Sequence, residues 1–244
     1  MIAEHVSLAE QVGLSSSRLR RIDSLMQRFI DAGVISGAVT LVARQGRVAH
    51  LQAHGLMDIG NHRAMQPDAL FRLASMTKPV IAVAILSLLE EGKLLLTQPV
   101  SDFLPTFKGQ QVAVPNQPVP GWAISELVEG GYHLEPAKRE ITLKDLLTHT
   151  SGLASAIVGP CFEQAAAVTA SIQAGLSLAD IIPNIGPVPL SFQPGTAWEY
   201  SPAYGFDTLG HIVEIVSGTT LDRFLQDRIF DPLGMHDTYF SVPP

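Results

Sequence analysis

The chain has 244 residues, 46% of them hydrophobic and only 16% charged, which excludes a disordered polypeptide and is ample for a packed core. The net charge is −7, and no Lys/Arg cluster exists beyond Arg18, Arg20 and Arg21, so a nucleic-acid partner is not expected. The longest apolar run, residues 79–86, is far short of the roughly 20 residues a membrane span needs.

Residues 16–32 carry Leu19, Ile22, Leu25, Met26 and Phe29 at helical spacing, with a serine cluster to cap the start and Gly33 near the stop. Residues 37–44 and 48–55 are β-rich and flank Gln45-Gly46-Arg47, which predicts a hairpin. Residues 75–91 predict a helix that is apolar nearly all round and therefore buried, closed by Gly92. Pro79 fits only if that helix opens near Ser75, where the first N–H groups have no intrahelical partner. Prolines 115, 118 and 120 make residues 107–122 a loop. Thr142 opens a short helix over 143–147, His149–Gly152 is a turn, and residues 186–195 are irregular. Helices over 203–216 and 221–229 follow. The order is helix, hairpin, then almost all helix, an α/β (α+β) chain with a small sheet layer and a helical domain.

The signatures of several chemistries are missing: GxSxG, HExxH, the phosphate-binding GxxxxGK and GxGxxG do not occur. The eight histidines read as scattered, and no metal or cofactor is expected. Cys161 is the only cysteine, so no internal disulfide forms, and it reads as a small, semi-buried apolar residue. One pair stands out, Ser75 and Lys78 in Ser75-Met76-Thr77-Lys78. Residues three apart share a helix face, so the lysine amine can serve as the base that a serine hydroxyl needs. Burial against the apolar helix and the positive helix end both disfavour an ammonium there. The same helix end aims the Ser75 N–H at a substrate oxyanion. SxxK alone is a weak signal, because a capping serine and a solvated lysine give the same letters. Glu199-Tyr200-Ser201-Pro202 precedes the next-to-last helix, and a tyrosine beside an ammonium can act as general acid and base.

Three segments carry a family resemblance. LASMTKPVIAVAILSLLEEGKLLLTQPVSDFLP, ITLKDLLTHTSGL and PGTAWEYSPAYGFDTLGHIVEIVSGTTLDRFLQDRIFDPLGMHDTYF occur in the order seen in serine β-lactamase-like and penicillin-binding-protein-like hydrolases. The likeness spans nearly the whole chain and is nearest to the esterases related to class C β-lactamases. It implies the β-lactamase/transpeptidase-like fold, with an antiparallel sheet flanked by helices plus a helical domain. It also implies Ser75 as nucleophile, Lys78 as its assistant and Tyr200 as proton shuttle. His149–Gly152 matches a stretch read as structural. Two departures stand out. The family's asparagine, two residues after the tyrosine, is replaced by Pro202, and the KTG-type third motif with its oxyanion donor has no counterpart after Tyr200.

On that resemblance, residues 1–74 form the N-terminal part of the α/β domain and residues 75–240 a mainly helical domain carrying the nucleophile. The C-terminal part of the α/β domain is expected to be absent and the sheet incomplete. The expected reaction is acyl transfer from a small carboxylic ester to water, without metal or cofactor. β-Lactam hydrolysis or D-amino-acid peptidase activity is the first alternative. A truncated or non-catalytic penicillin-recognising protein is the alternative from another class. The expected partner is a small-molecule ester or lactam, with no nucleic acid and no membrane, and a homo-oligomer or a complementing fragment stays open. No charged-then-apolar leader opens the sequence, so a cytoplasmic location is expected.

Overall fold

The computed structural model describes residues 7–116, 131–154, 160–171 and 175–242. It divides into two compact units, Met1–Arg72 and Leu73–Pro244. None of the helices among the described residues is long and apolar enough to cross a membrane.

Among the described residues, the first unit holds a 3₁₀ turn, Ala9–Val12, one α-helix, α1 (Ser16–Asp31), and a three-stranded antiparallel sheet. The Ser15 side chain caps α1 by accepting from the Arg18 N–H, and Gly33, at φ 67°, follows the helix end. Strands β1 (Gly37–Arg44) and β2 (Arg47–Asp58) form the expected hairpin, and β3 (Arg63–Ala64) adds a short third strand beside β2. Gln45 and Gly46 both take positive φ, 55° and 70°, the turn geometry whose twist matches paired strands. β1 lies at the edge of this sheet. The apolar stripe of α1 is split. Leu19, Ile22 and Met26 are half-buried, whereas Leu25 and Phe29, on the adjoining flank, are exposed. Among the described residues, the buried apolar residues of this unit are Ala9, Val12 and Ala49, a small core.

The second unit has a much larger core, in which α2 (Thr77–Glu90) packs against α6 (Tyr204–Ser217) through residues such as Ile85, Leu88, Leu209 and Ile212. Two expectations about α2 are corrected. Ser75 lies in a separate 3₁₀ turn, Ala74–Met76, ahead of the α-helix. The helix is also not buried all round: Ile81, Ala84, Ile85 and Leu88 point inward, whereas Val83 and Leu86 are exposed. An apolar composition with no clear moment does not say which side meets the core.

Residues 107–122 are not all loop. β4 (Gln111–Pro115) pairs antiparallel with β5 (Tyr132–Pro136), so the part after the hairpin is not almost entirely helical. Val112 and Ala113 are buried, and Ala113 and Gln111 exchange backbone hydrogen bonds with Leu190 in the irregular 186–195 stretch. Pro115 ends the strand, where a missing N–H costs little. Pro118, Pro120 and Trp122 lie outside the described residues.

The short helix α3 (Leu143–Leu147) opens on Thr142 as expected, with Asp145 completing a capping box. α4 (Phe162–Ser171) and α5 (Leu178–Ile181) follow it. α6 begins at Tyr204, not 203, so Pro202 stands ahead of the helix. Ser201 still serves the helix start, since its Oγ accepts from the Gly205 N–H at 3.0 Å. The helix expected over 221–229 is present but changes its winding: α7 (Leu221–Leu225) continues as a π turn, Gln226–Phe230. Cys161 is fully buried.

Candidate active site

Ser75, Lys78 and Tyr200 meet at one point of the second unit. The Tyr200 hydroxyl donates to Ser75 Oγ at 2.6 Å, and Lys78 Nζ lies 3.3 Å from the same oxygen. Lys78 Nζ also donates to the Pro202 carbonyl at 2.6 Å. The cause is the packing of α2 on α6. It brings the segment that opens α2, with Ser75 and Lys78, to the segment that leads into α6, with Tyr200 and Pro202. Pro202 precedes the helix, so its carbonyl is left free to bind the lysine.

The backbone presents Ser75 outward. Ala74 adopts φ 45°, in the left-handed region that a residue with a Cβ enters at a cost of about 1–3 kcal/mol. Ser75 is exposed and Lys78 half-buried. Lys78 Nζ sits 5.0 Å from the Tyr200 ring centre and 5.7 Å from that of Phe206, so aromatic faces line the amine. The hydrogen bond to Ser75, and then the one with Lys78, hold the Tyr200 hydroxyl below the usual tyrosine range. Burial pushes the Asp207 carboxyl up, against the pull of Lys78, and burial likewise raises that of Glu199.

A second layer holds Tyr200 in place. The Ser201 N–H donates to His149 Nδ1 at 3.1 Å, and the Glu199 N–H donates to the His149 carbonyl at 3.0 Å. A backbone N–H can only donate, so His149 Nδ1 carries no proton, and a neutral ring carries its proton on Nε2. Burial, and then the charge of Lys78, push the His149 imidazole below its ordinary range, which keeps that acceptor available. The imidazole packs on the Tyr200 ring at 4.8 Å between centres and on Phe206 at 5.4 Å. His149 itself sits at φ 57°, directly after α3.

Asp145 fixes that corner. It takes two hydrogen bonds from Arg139, at 2.6 and 2.9 Å, and others from the Thr142 backbone and the Thr150 hydroxyl. Burial would raise the Asp145 carboxyl, but the bonds from Arg139 and Thr142 outweigh it and hold the group below the usual carboxylate range. Gly152, at φ 74°, lies against Phe192, whose carbonyl oxygen would be 2.3 Å from any added Cβ. Ser151, the other serine of the segment, is buried, and its Oγ accepts from the Leu153 N–H.

The three residues singled out in the sequence are thus brought together. His149, Pro202 and Asp207 were not expected beside them. The histidine had one signal, its place in THTSGL. The proline carbonyl and the half-buried Asp207 had none, because a backbone acceptor looks alike at every residue.

An exposed serine hydroxyl thus meets a tyrosine hydroxyl and a lysine amine at one point of the fold. Residues 22–244 match the family described as Beta-lactamase, and the chain belongs to that family. It is 35% identical over 234 residues to esterase EstB of Burkholderia gladioli, covering 93% of this chain and 52% of that protein. To the lovastatin esterase of Penicillium rubens it is 35% identical over 222 residues, covering 90% and 52%. Among solved structures, it matches EstCE1, a hydrolase with promiscuous acyltransferase activity, with TM-score 0.70 and 29% identity over 88% of this chain and 51% of that one. The fold is accordingly the mixed helix and antiparallel-sheet fold of β-lactamase/transpeptidase-like proteins, with a small sheet. The chain spans about half the length of these relatives.

Proposed function

We propose that the protein is a serine hydrolase that cleaves small carboxylic esters through a covalent acyl-enzyme. The observation that carries this reading is the pair of proton-carrying groups, Tyr200 hydroxyl and Lys78 amine, at 2.6 and 3.3 Å from Ser75 Oγ. Ser75 Oγ attacks the carbonyl carbon as its proton passes to the Lys78–Tyr200 pair. The oxyanion forms opposite the Ser75 N–H at the open end of the turn. Its collapse breaks the ester C–O bond, and the leaving alkoxide takes the proton through Tyr200. Water then attacks the acyl carbon and gives a proton to the same pair, and Ser75 departs with that proton restored. The two esterases among the relatives support the substrate class, as does a side chain at position 202 with no amide to offer a lactam substrate. The role of Pro202 toward Lys78 needs only its backbone carbonyl. We propose a cytoplasmic location separately from the ester chemistry, and cell fractionation with activity-based labelling checks it.

The test is kcat/KM on p-nitrophenyl butyrate and nitrocefin, side by side. The ester value should exceed the lactam value. A nitrocefin value equal to or above it makes the protein a β-lactamase instead. An acylation burst on nitrocefin without turnover of either substrate makes it a penicillin-recognising binder.

A further inference from the structure

The first unit carries a second polar cluster, with no part in the ester chemistry. His50 and His54 lie four apart on β2 and therefore point to the same face of the sheet. Four strand residues span about 13 Å, so the two rings must lean toward each other to meet. They do meet: Thr40 Oγ1 of β1, paired across the hairpin with Gln52 midway between them, is 2.8 Å from His50 Nε2 and 3.1 Å from His54 Nε2. From α1, Asp23 Oδ1 reaches to 3.8 Å from the first nitrogen and 3.7 Å from the second. Both imidazoles are nearly buried.

Hydrogen bonding alone does not satisfy this cluster. The Thr40 hydroxyl can donate to one ring and accept from the other, which accounts for the two Nε2 atoms. Asp23 Oδ1 is then left buried without a hydrogen-bond partner. A buried carboxylate oxygen with no donor is costly, and a cation is the natural remedy. The three ligand atoms lie within 4.8 Å of one another. A tetrahedral ion with bonds of about 2.0–2.1 Å needs ligand separations of about 3.3 Å, so the two Asp23 separations must close by about 0.5 Å and the widest one by up to about 1.5 Å, a movement that side-chain rotation can supply. Two imidazoles and a carboxylate suit Zn²⁺-class ions and not Mg²⁺ or Ca²⁺.

We propose that Asp23, His50 and His54 bind one Zn²⁺-class divalent ion, which ties α1 to the β1–β2 hairpin, with water or the Thr40 hydroxyl in the fourth position. Among the described residues, the unit's buried apolar core consists of Ala9, Val12 and Ala49, with Leu14 and Leu19 against it. A small core gains most from such a cross-link.

The experiment titrates chelator-stripped protein with Zn²⁺ in a calorimeter and records the absorption of its Co²⁺ form. One equivalent should bind with micromolar or tighter affinity, the Co²⁺ spectrum should be that of a four-coordinate nitrogen/oxygen site, and the melting midpoint should rise with Zn²⁺. Asp23→Asn and His54→Gln should each weaken binding tenfold or more. His133→Gln, at the exposed His133–Glu135 pair of the second unit, should change nothing. Less than one equivalent bound to the unaltered protein, a six-coordinate Co²⁺ spectrum, or binding that follows His133 overturns the proposal. The stoichiometry and the spectrum are read on unaltered protein, so a variant that fails to fold does not shelter the proposal.

Discussion

The cluster around Ser75 and the cluster around Thr40 are both knots of polar side chains, yet they are built in opposite ways. The first joins groups as far as 125 residues apart, through the packing of two helices, and leaves Ser75 and Tyr200 open to solvent. The second joins a helix to one hairpin, over short chain distances, and hides both imidazoles. An exposed nucleophile with donors on it is arranged for a reactant to enter. A closed set of ligands is arranged to hold the backbone. Within the Ser75 region the same division recurs, with Lys78 and Tyr200 at Ser75 Oγ and Asp145 and His149 behind them. Chemistry and scaffold should therefore separate on mutation.

The largest effect is expected at Lys78. Lys78→Ala should slow acylation by about 10²–10⁴-fold, the worth of a positioned acid–base group, while the melting midpoint barely moves. A near-full rate would put the base elsewhere and break the division. Asp145→Ala should do the reverse first: it takes the acceptor from the Thr142 N–H and from Arg139, which is itself 44% exposed, and should destabilise the second unit by about 1–3 kcal/mol, read by denaturant unfolding. Asp145 also sets a pH limit. Its folded-state carboxyl is held below the ordinary value, so its contribution is present above about pH 4 and is lost as pH falls through the folded value.

Pro202→Asn should be smaller and selective. It supplies a side-chain amide where the chain has none, and should raise the lactam-to-ester ratio of kcat/KM by up to roughly 5–150-fold, the range of one buried polar contact. A ratio that does not move removes position 202 from the account of substrate choice. His149→Asn sharpens the comparison further. Asparagine tolerates φ 57° and keeps an acceptor for the Ser201 N–H, so activity near neutral pH should fall less than tenfold. In the unaltered protein, burial holds His149 neutral. Its share of stability is thus intact above about pH 6.5 and erodes as pH falls below that. That acid step in the melting midpoint should vanish in His149→Asn.

Much of this was legible in the letters, for reasons that differ by element. The β1–β2 hairpin was readable because Gln45-Gly46 is a strong local turn signal. Ser75 and Lys78 were readable because residues three apart share a face on a helical turn and because the pair opens the first of three ordered segments, even though Ser75 lies in a 3₁₀ turn ahead of α2. Tyr200 was readable through the order of three segments. β4 was not, because three nearby prolines outweighed the short QVAVP run, and its partner strand and Leu190 lie far along the chain. The meeting of His50 and His54 was not legible either. The expected strand puts both on one face, but four strand residues span about 13 Å, and nothing in the letters makes the two rings lean together or brings Asp23 to them from another element. The Pro202 carbonyl depended on where α6 begins, to within a residue or two, and helix ends are the least determinate feature of any sequence.

The central claim is that Ser75 is the nucleophile, and one measurement addresses it directly. A fluorophosphonate probe is reacted with the protein, and the modified peptide is mapped by mass spectrometry. The account predicts a single adduct on Ser75, lost in Ser75→Ala and slowed in Lys78→Ala. An adduct on Ser151 or any other serine, or labelling that persists in Ser75→Ala, would contradict it.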